Sequence, residues 1–300
     1  MKQRTAILSL AAAGTIWGSS VALSKLSLAW LGPDWLTALR VGAAALVLAV
    51  IGRRHLRRAL RPQIAVSGAL GYGATLLLQN AGIAQTSVSH AAIIVGGVPA
   101  LVALISAGLG RGRASWIAWL GYAVALLGIV FVARGGGGGA SSAGDLLVLG
   151  SVVMSAAMIV AQPRLLDGQD AAAVTAVQFA AAALVTVPVA LASSGAPPVP
   201  ASAGPVLAFA ALALFGTVLP FWLFAHGQKQ TSPELAGAMV NIEPLVGAVV
   251  GWIAFGDPVG PFQLLGALAV VIGILLSTVP WERLTVAGLQ ARLQARLDVI

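Results

Sequence analysis

Long apolar runs, separated by short polar, Gly-containing or Pro-containing stretches, follow one another along the whole chain. A helix needs about 20 mostly apolar residues to cross the hydrocarbon core of a membrane. No interval between the runs is long enough to form a separate water-soluble domain. Ten transmembrane helices are predicted, at residues 5–28, 35–51, 63–84, 88–109, 115–133, 145–165, 171–192, 205–227, 233–255 and 261–280. The pattern therefore predicts an all-α integral membrane protein.

The composition excludes several other classes of protein. Charged residues make up 9% of the 300 residues and apolar residues 59%, and the mean hydropathy is +0.95. A water-soluble domain has about a quarter charged residues, so this chain lacks the polar surface of a cytoplasmic enzyme. The net charge of +8 does not indicate a nucleic-acid partner, because the cations form short clusters between apolar runs. The absence of cysteine excludes disulfides and thiolate metal sites.

The distribution of Lys and Arg predicts the orientation in the membrane. With the N-terminus inside, inner segments hold 14 of the 17 cations, and the outer loops hold only Arg134. Cytoplasmic loops of membrane proteins carry such an excess of positive charge. We therefore predict a multi-pass protein of a bacterial-type cytoplasmic (inner) membrane with both termini in the cytoplasm. The first apolar run is longer than that of a signal peptide, which favours a retained first helix.

The chain contains an internal repeat. Residues 86–131 align without a gap with residues 231–276 at an offset of 145, and this alignment pairs Pro99 with Pro244. Each half holds five predicted spans. Because five is odd, the second half enters the membrane in the opposite orientation, as in an inverted-repeat transporter. The predicted units are a first repeat at 1–134, a Gly/Ser-rich outer linker at 135–144, a second repeat at 145–282 and a cytoplasmic tail at 283–300.

The predicted spans contain several short motifs: Trp17-Gly18-Ser19 followed by Lys25, Leu39–Arg40, Thr86–Ser87, Pro99, Asn241-Ile242-Glu243-Pro244, and Gly266 with Gly273. These motifs resemble the EamA family of the drug/metabolite transporter superfamily, and the overall similarity is nearest to its YddG-like amino-acid exporters. The sequence departs from the family where the usual Gly-Glu ending the ninth span reads Gly256–Asp257. The resemblance implies ten helices as two inverted five-helix repeats around a central cavity, with helices five and ten at the periphery.

Three charged residues inside the predicted spans require an explanation, because charge in hydrocarbon is costly. Glu243 is the only carboxylate predicted deep in the membrane. It is interpreted as a proton site or a partner for a substrate ammonium group, or else as a structural carboxyl that bonds backbone freed by Pro244. Lys25 and Arg40 approach the outer side. They either extend to the interface, with Asp34 as counter-charge, or form a charged gate that attracts carboxylates.

Aromatic and amide side chains within the spans predict an apolar cavity suited to a zwitterion. Ordinary helix packing is the alternative for each of them. The predicted substrate-binding residues are Trp17, Tyr72, Gln79, Met154, Phe221, Trp222, Asn241 and Glu243. The predicted gating or hinge residues are Lys25, Arg40, His90, Pro99 and Pro244. For His90, proton exchange stands against the simpler interpretation of a partly solvated side chain at the interface.

The leading interpretation is a monomeric secondary transporter that exports small organic metabolites by alternating access, with neutral or aromatic amino acids as cargo. Cationic drugs and sugar-linked or nucleotide-linked metabolites remain alternative cargoes. A channel is a further alternative, although no charge ring or filter sequence is present. No motif of an intramembrane enzyme, a cofactor or a metal site is found. The predicted partners are a small-molecule substrate and the lipid bilayer; whether protons drive export stays open.

Overall fold

The computed structural model describes residues 2–110, 115–134, 141–240, 242–257 and 259–278, and every regular element within these ranges is helical. The all-α prediction is therefore confirmed for this part of the chain. The helices are α1 Lys2–Ser27, α2 Pro33–Ile51, α3 Leu56–Ala59, α4 Pro62–Val66, α5 Ala74–Gln85, α6 Val88–Val95, α7 Val98–Gly108, α8 Trp116–Arg134, α9 Ser142–Leu166, α10 Ala171–Ser194, α11 Ala203–Ala213, α12 Leu219–Gln228, α13 Pro233–Val240, α14 Ile242–Ala254 and α15 Pro261–Thr278. The predicted tail at 283–300 and most of the predicted linker lie outside the described residues.

Within the described ranges, seven helical stretches are long and apolar enough to cross a membrane. They are Arg4–Ser27, Pro33–Ile51, Val88–Gly108, Ser142–Leu166, Ala171–Ser194, Ala203–Gln228 and Leu235–Ala254. Two shorter apolar helices, Trp116–Phe131 and Pro261–Ser277, coincide with the predicted fifth and tenth spans. The predicted third span is helical but is not among the seven, because its glycines and the amides Gln79 and Asn80 lower its mean hydropathy.

Two widened, π-helical turns interrupt long helices at matching places. The first π turn, Ser67–Gly73, joins α4 to α5, and the second π turn, Leu214–Val218, joins α11 to α12. They contain Gly71 and Gly216, which the offset of 145 pairs with each other. Turns of this kind occur frequently at functional sites. Both halves of the chain thus deviate from regular α-helix at equivalent positions.

Helix α8 packs against α15 through glycines. A Cβ atom on Gly121 would lie 2.6 Å from the carbonyl oxygen of Gly273, and one on Gly128 would lie 2.6 Å from that of Gly266. The order of these contacts makes the two helices antiparallel. Their outer faces carry exposed apolar side chains, including Leu120, Leu127, Phe262, Leu265 and Leu268. Small residues at the contact let the backbones approach, while the outer faces are suited to lipid.

The remaining helices enclose the interior of the molecule. Helix α2 packs on α10, α5 on α9, α6 on α14, and α1 on both α12 and α14. The largest buried apolar cluster draws on α1, α6, α7 and α9, with members such as Leu10, Val21, Ile94, Val102 and Val148. This arrangement leaves a cavity at the centre, which contains the candidate site.

Candidate functional site

A cavity of about 720 Å³ of empty volume lies among the described helices. Side chains from α1, α2, α5, α6, α7, α9, α12, α13 and α14, and from the first π turn, line it. The structure brings together five of the eight residues predicted to bind substrate, namely Trp17, Tyr72, Gln79, Phe221 and Glu243. They come from four separate parts of the sequence, so only the fold makes them neighbours.

Aromatic rings form one wall of the cavity. The ring centroid of Phe221 lies 4.9 Å from that of Trp17 and 5.2 Å from that of Tyr72, both nearly edge-on. Trp17 also contacts Phe224 at 5.0 Å, and Tyr72 contacts Phe179 at 5.3 Å. Edge-to-face packing of this kind stabilises a rigid apolar surface. The wall is therefore built before any ligand enters.

Two opposite charges face the same cavity. Arg40 is 2% exposed and Glu243 is 5% exposed, and both line the cavity. Within the described residues, no direct salt bridge joins them. Neither group is therefore engaged in a direct ion pair with the other, and both can be reached from the cavity.

The interpretation of Arg40 as a side chain reaching the outer interface is wrong. Its Nε donates to the hydroxyl of Thr217 at 2.6 Å and its Nη2 to the carbonyl of Gly216 at 3.0 Å. The expected counter-charge, Asp34, instead accepts from the hydroxyls of Ser193 and Ser194. The guanidinium turns inward because the second π turn offers it two acceptors there.

A proline explains why the carbonyl of Gly216 is available. In an α-helix this carbonyl would accept from the N–H four residues later, but that residue is Pro220, which has none. The gap is filled from another helix, since Arg40 of α2 donates to the carbonyl instead.

On α9, too, a side-chain donor takes the place of a backbone N–H that a proline lacks. Pro163 lies inside this helix and cannot donate to the carbonyl of Ile159. Nε2 of Gln228, on α12, donates to that carbonyl at 3.2 Å. Gln228 is buried and lines the cavity as well. Both proline gaps thus draw a polar side chain to the cavity wall.

Several polar lining residues were missed by the sequence analysis. Ser151 and Ser155 lie on one face of α9, and Thr75 follows Tyr72 by one turn. The hydroxyl oxygen of Thr75 is buried and has no hydrogen-bond partner in the described part of the chain. Helical spacing of the serines was the signal that could have found them, because residues three or four apart share a face.

Two of the predicted substrate-binding residues are not brought to the cavity, and a third lies outside the described residues. Met154 does not line it, whereas Met158, one turn later, does. Trp222 does not line it either, and its ring lies 6.3 Å from that of His226. Consecutive helical residues point about 100° apart, so Trp222 faces away when Phe221 faces inward. Asn241 lies outside the described residues.

Lys25 binds the end of a neighbouring helix. Its Nζ donates to the carbonyls of Ile83 and Thr86, each at 2.8 Å. These carbonyls belong to the last turn of α5 and the residue after it, where backbone acceptors lack partners. Lys25 thus joins α1 to the connection between α5 and α6.

His90 is buried and paired, so its interpretation as a partly solvated interface residue is wrong. It is 1% exposed, and its Nδ1 lies 3.3 Å from Oδ2 of Asp145. The hydroxyl of Thr86 donates to the other carboxylate oxygen at 2.6 Å. Asp145 therefore connects the start of α9 to both ends of the α5–α6 junction.

Pro99 and Pro244 are both buried, and Pro99 lies in the first turn of α7. Pro99 follows the break between α6 and α7. A proline is tolerated in the first turn because its missing N–H would have no helical partner there. Among the described residues, no group of three His, Asp or Glu could hold a metal ion.

The chain is similar to known membrane transporters. The model of the EamA-like transporter family matches residues 4–134 and again residues 142–279. The chain is 25% identical over 283 residues to a probable terminal-alkyne amino-acid exporter of Streptantibioticus cattleyicolor, covering 92% of this chain and 94% of that protein. It is 25% identical over 273 residues to the uncharacterised inner membrane transporter YedA of Escherichia coli K12, covering 88% and 87%. One crystal structure has the same fold, with a TM-score of 0.73, 22% identity and coverage of 93% and 98%.

Proposed function

This chain belongs to the EamA-like transporter family, and we propose that it exports amino acids by alternating access. Family membership makes it a membrane transporter of small molecules and not an enzyme. The name of the Streptantibioticus relative, a probable terminal-alkyne amino-acid exporter, supports this class of cargo. The name of the Escherichia coli relative supports an inner-membrane location. The concentration of Lys and Arg in alternate loops supports cytoplasmic termini.

One observation carries the choice of cargo: Arg40 and Glu243 face one aromatic-walled cavity with opposite charges. A guanidinium binds a carboxylate through two parallel hydrogen bonds, and a carboxylate binds an ammonium group. An amino acid carries both groups, and its side chain can pack on Trp17, Tyr72 and Phe221.

The proposed mechanism uses two inverted repeats, at 1–134 and 145–282, joined by the linker at 135–144. The double match of the family model supports this division. The offset of 145 pairs Gly121 with Gly266 and Gly128 with Gly273. The repeat symmetry therefore maps one of the two glycine contacts between α8 and α15 onto the other. Antiparallel helices related in this way have a two-fold axis in the membrane plane, as inverted repeats do. Pro99 and Pro244 are the proposed hinges, one in each repeat.

Reconstitution into liposomes tests the cargo. The protein is assayed for exchange of labelled L-phenylalanine, L-leucine, L-lysine and L-glutamate, with the cationic dye ethidium for comparison. We expect saturable exchange of phenylalanine and leucine that is accelerated by unlabelled amino acid on the opposite side, which a channel would not show. Transport of the dye without any amino acid would instead establish the alternative of a cationic-drug exporter and overturn the proposal.

Two charge substitutions test the site. Arg40→Gln and Glu243→Gln should each lower exchange of phenylalanine at least about tenfold, because each removes a charged partner of the zwitterion. Arg164→Gln is the matched control, since Arg164 is exposed and should exchange at the wild-type rate. Exchange that survives both substitutions would remove the charges from the mechanism. Repeating the assay with a pH gradient distinguishes proton antiport, which the gradient accelerates, from facilitated export.

A further inference from the structure

Arg40 is the largest side chain that is fully buried in the described part of the chain. Both of its hydrogen bonds run to the second π turn, to Thr217 and Gly216, which lie 177 and 176 residues away in the sequence. Burying a charge is costly unless hydrogen bonds compensate for the lost water. The second π turn therefore determines where this guanidinium rests.

The hydroxyl of Thr217 is oriented by its own helix. Its proton is donated to the carbonyl of Leu212 at 2.9 Å. A hydroxyl has one proton to donate, so the oxygen can only accept from Arg40, whose Nε lies 2.6 Å away. Arg40, Thr217 and Leu212 thus form a chain of hydrogen bonds with a single direction.

The carbonyl of Gly216 holds the guanidinium at a second point. It accepts from Nη2 of Arg40 at 3.0 Å, in place of the N–H that Pro220 lacks. A Cβ atom at this position would lie 2.8 Å from Cδ1 of Leu212 and 3.1 Å from Cβ of Ser20, so these neighbouring side chains would have to shift to admit it. Two acceptors from adjacent residues therefore bind one edge of the guanidinium, the edge formed by Nε and Nη2.

The other edge of the guanidinium is left for a ligand. Nη1 has no hydrogen-bond partner within the ranges that the structure describes, and Arg40 lines the cavity. The N–H groups on this edge match the spacing of two carboxylate oxygens. Held at its first edge, the guanidinium meets a carboxylate without first losing rotational freedom.

We propose that Thr217 is a positioning residue for cargo recognition: with the Gly216 carbonyl, its hydroxyl holds Arg40 so that the free edge binds the cargo carboxylate. This inference rests on the proposed function, in which Arg40 binds that carboxylate. It predicts that removal of the Thr217 hydroxyl lowers the protein's affinity only for ligands that carry a carboxylate. A merely structural hydroxyl would affect all ligands equally.

The experiment compares two competitors of labelled L-phenylalanine exchange in liposomes: unlabelled L-phenylalanine and L-phenylalaninamide, which keeps the ammonium group but has no carboxylate. For Thr217→Val we expect the half-inhibitory concentration of phenylalanine to rise about tenfold, which corresponds to the loss of one charge-assisted hydrogen bond. That of the amide should stay within about twofold of the wild-type value, and the maximal rate should be little changed. Thr217→Ser, which keeps the hydroxyl, should restore the affinity for phenylalanine.

Thr175→Val is the matched control. The hydroxyl of Thr175 is also buried and donates to a carbonyl of its own helix, that of Ala171 at 2.9 Å, but it accepts no hydrogen bond from Arg40. Loss of this hydroxyl should change the half-inhibitory concentration of neither phenylalanine nor its amide.

Pro220→Ala provides a second variant, one that keeps Thr217. Its restored N–H should compete with Arg40 for the Gly216 carbonyl and so loosen the guanidinium. It should weaken phenylalanine binding selectively as well.

Equal effects of Thr217→Val on both competitors, or no effect on either, would overturn the inference. The outcome for Arg40→Gln separates this failure from a failure of the proposed function. If Arg40→Gln weakens phenylalanine but Thr217→Val does not, only the role of Thr217 is wrong. If Arg40→Gln leaves phenylalanine binding unchanged, the proposed carboxylate site itself is wrong.

Discussion

Gly121 of α8 faces Gly273 of α15 so closely that a side chain on Gly121 has no room: its Cβ atom would lie 2.6 Å from the Gly273 carbonyl oxygen. The partner pair, Gly128 and Gly266, repeats this contact two turns away. The two helices come from opposite halves of the chain. Their contact depends on backbone approach rather than on interlocking side chains.

Gly121→Ala should destabilise the protein, because the two backbones must move apart to admit the new methyl group. We expect a loss of about 1–3 kcal/mol in the free energy of unfolding, as for other overpacked sites, seen as a lower midpoint of thermal unfolding in detergent. Gly42→Ala is the control, since its Cβ atom would meet nothing within 4 Å. An unchanged midpoint for Gly121→Ala would contradict the close contact.

Trp17→Ala should weaken cargo binding, because it removes a ring that lines the cavity and packs on Phe221 and Phe224. The apparent KM for phenylalanine exchange should rise about three- to tenfold, which corresponds to the loss of one aromatic contact. Trp222→Ala removes a ring of the same size that does not line the cavity, and its KM should stay near the wild-type value. Equal effects of the two substitutions would refute the assignment of the aromatic wall.

Lys25→Met should loosen the end of α5, because it keeps the apolar stem but removes the donor to the carbonyls of Ile83 and Thr86. We expect a loss of about 1–3 kcal/mol, the usual cost of buried acceptors left unpaired. Thermal unfolding and amide hydrogen exchange in α5 measure it, and Lys25→Arg should retain part of the stability. Amide hydrogen-exchange rates in α5 that are the same in Lys25→Met as in the wild type would show that these hydrogen bonds do not stabilise the helix end.

Asp145→Asn should destabilise the junction of α5, α6 and α9, because the charge that accepts from Thr86 and faces His90 is removed. The expected loss in the free energy of unfolding is about 1–3 kcal/mol. Asp167→Asn, at an exposed position, serves as the control. Combining Asp145→Asn with Thr86→Val should cost less than the sum of the two, since both break one contact; additive losses would argue against that contact.

Much of the candidate site followed from the sequence, because polar and aromatic groups inside apolar helices are conspicuous. Trp17, Tyr72 and Glu243 were identified in this way, and all three line the cavity. Met154 and Trp222 were chosen for their type and depth, but neither lines it. Depth along a helix can be counted from residue numbers. The direction in which a side chain points around the helix also depends on how neighbouring helices pack.

The sequence by itself determined the helical class, the apolar spans and the pairing of the two halves, because each depends on local hydropathy or on a fixed offset. Only the tertiary structure decided that Arg40 turns inward and fills the gap that Pro220 leaves at Gly216. A proline's missing N–H is a property of one residue, whereas the donor that replaces it comes from a helix about 180 positions earlier in the chain. Packing alone brings the two together.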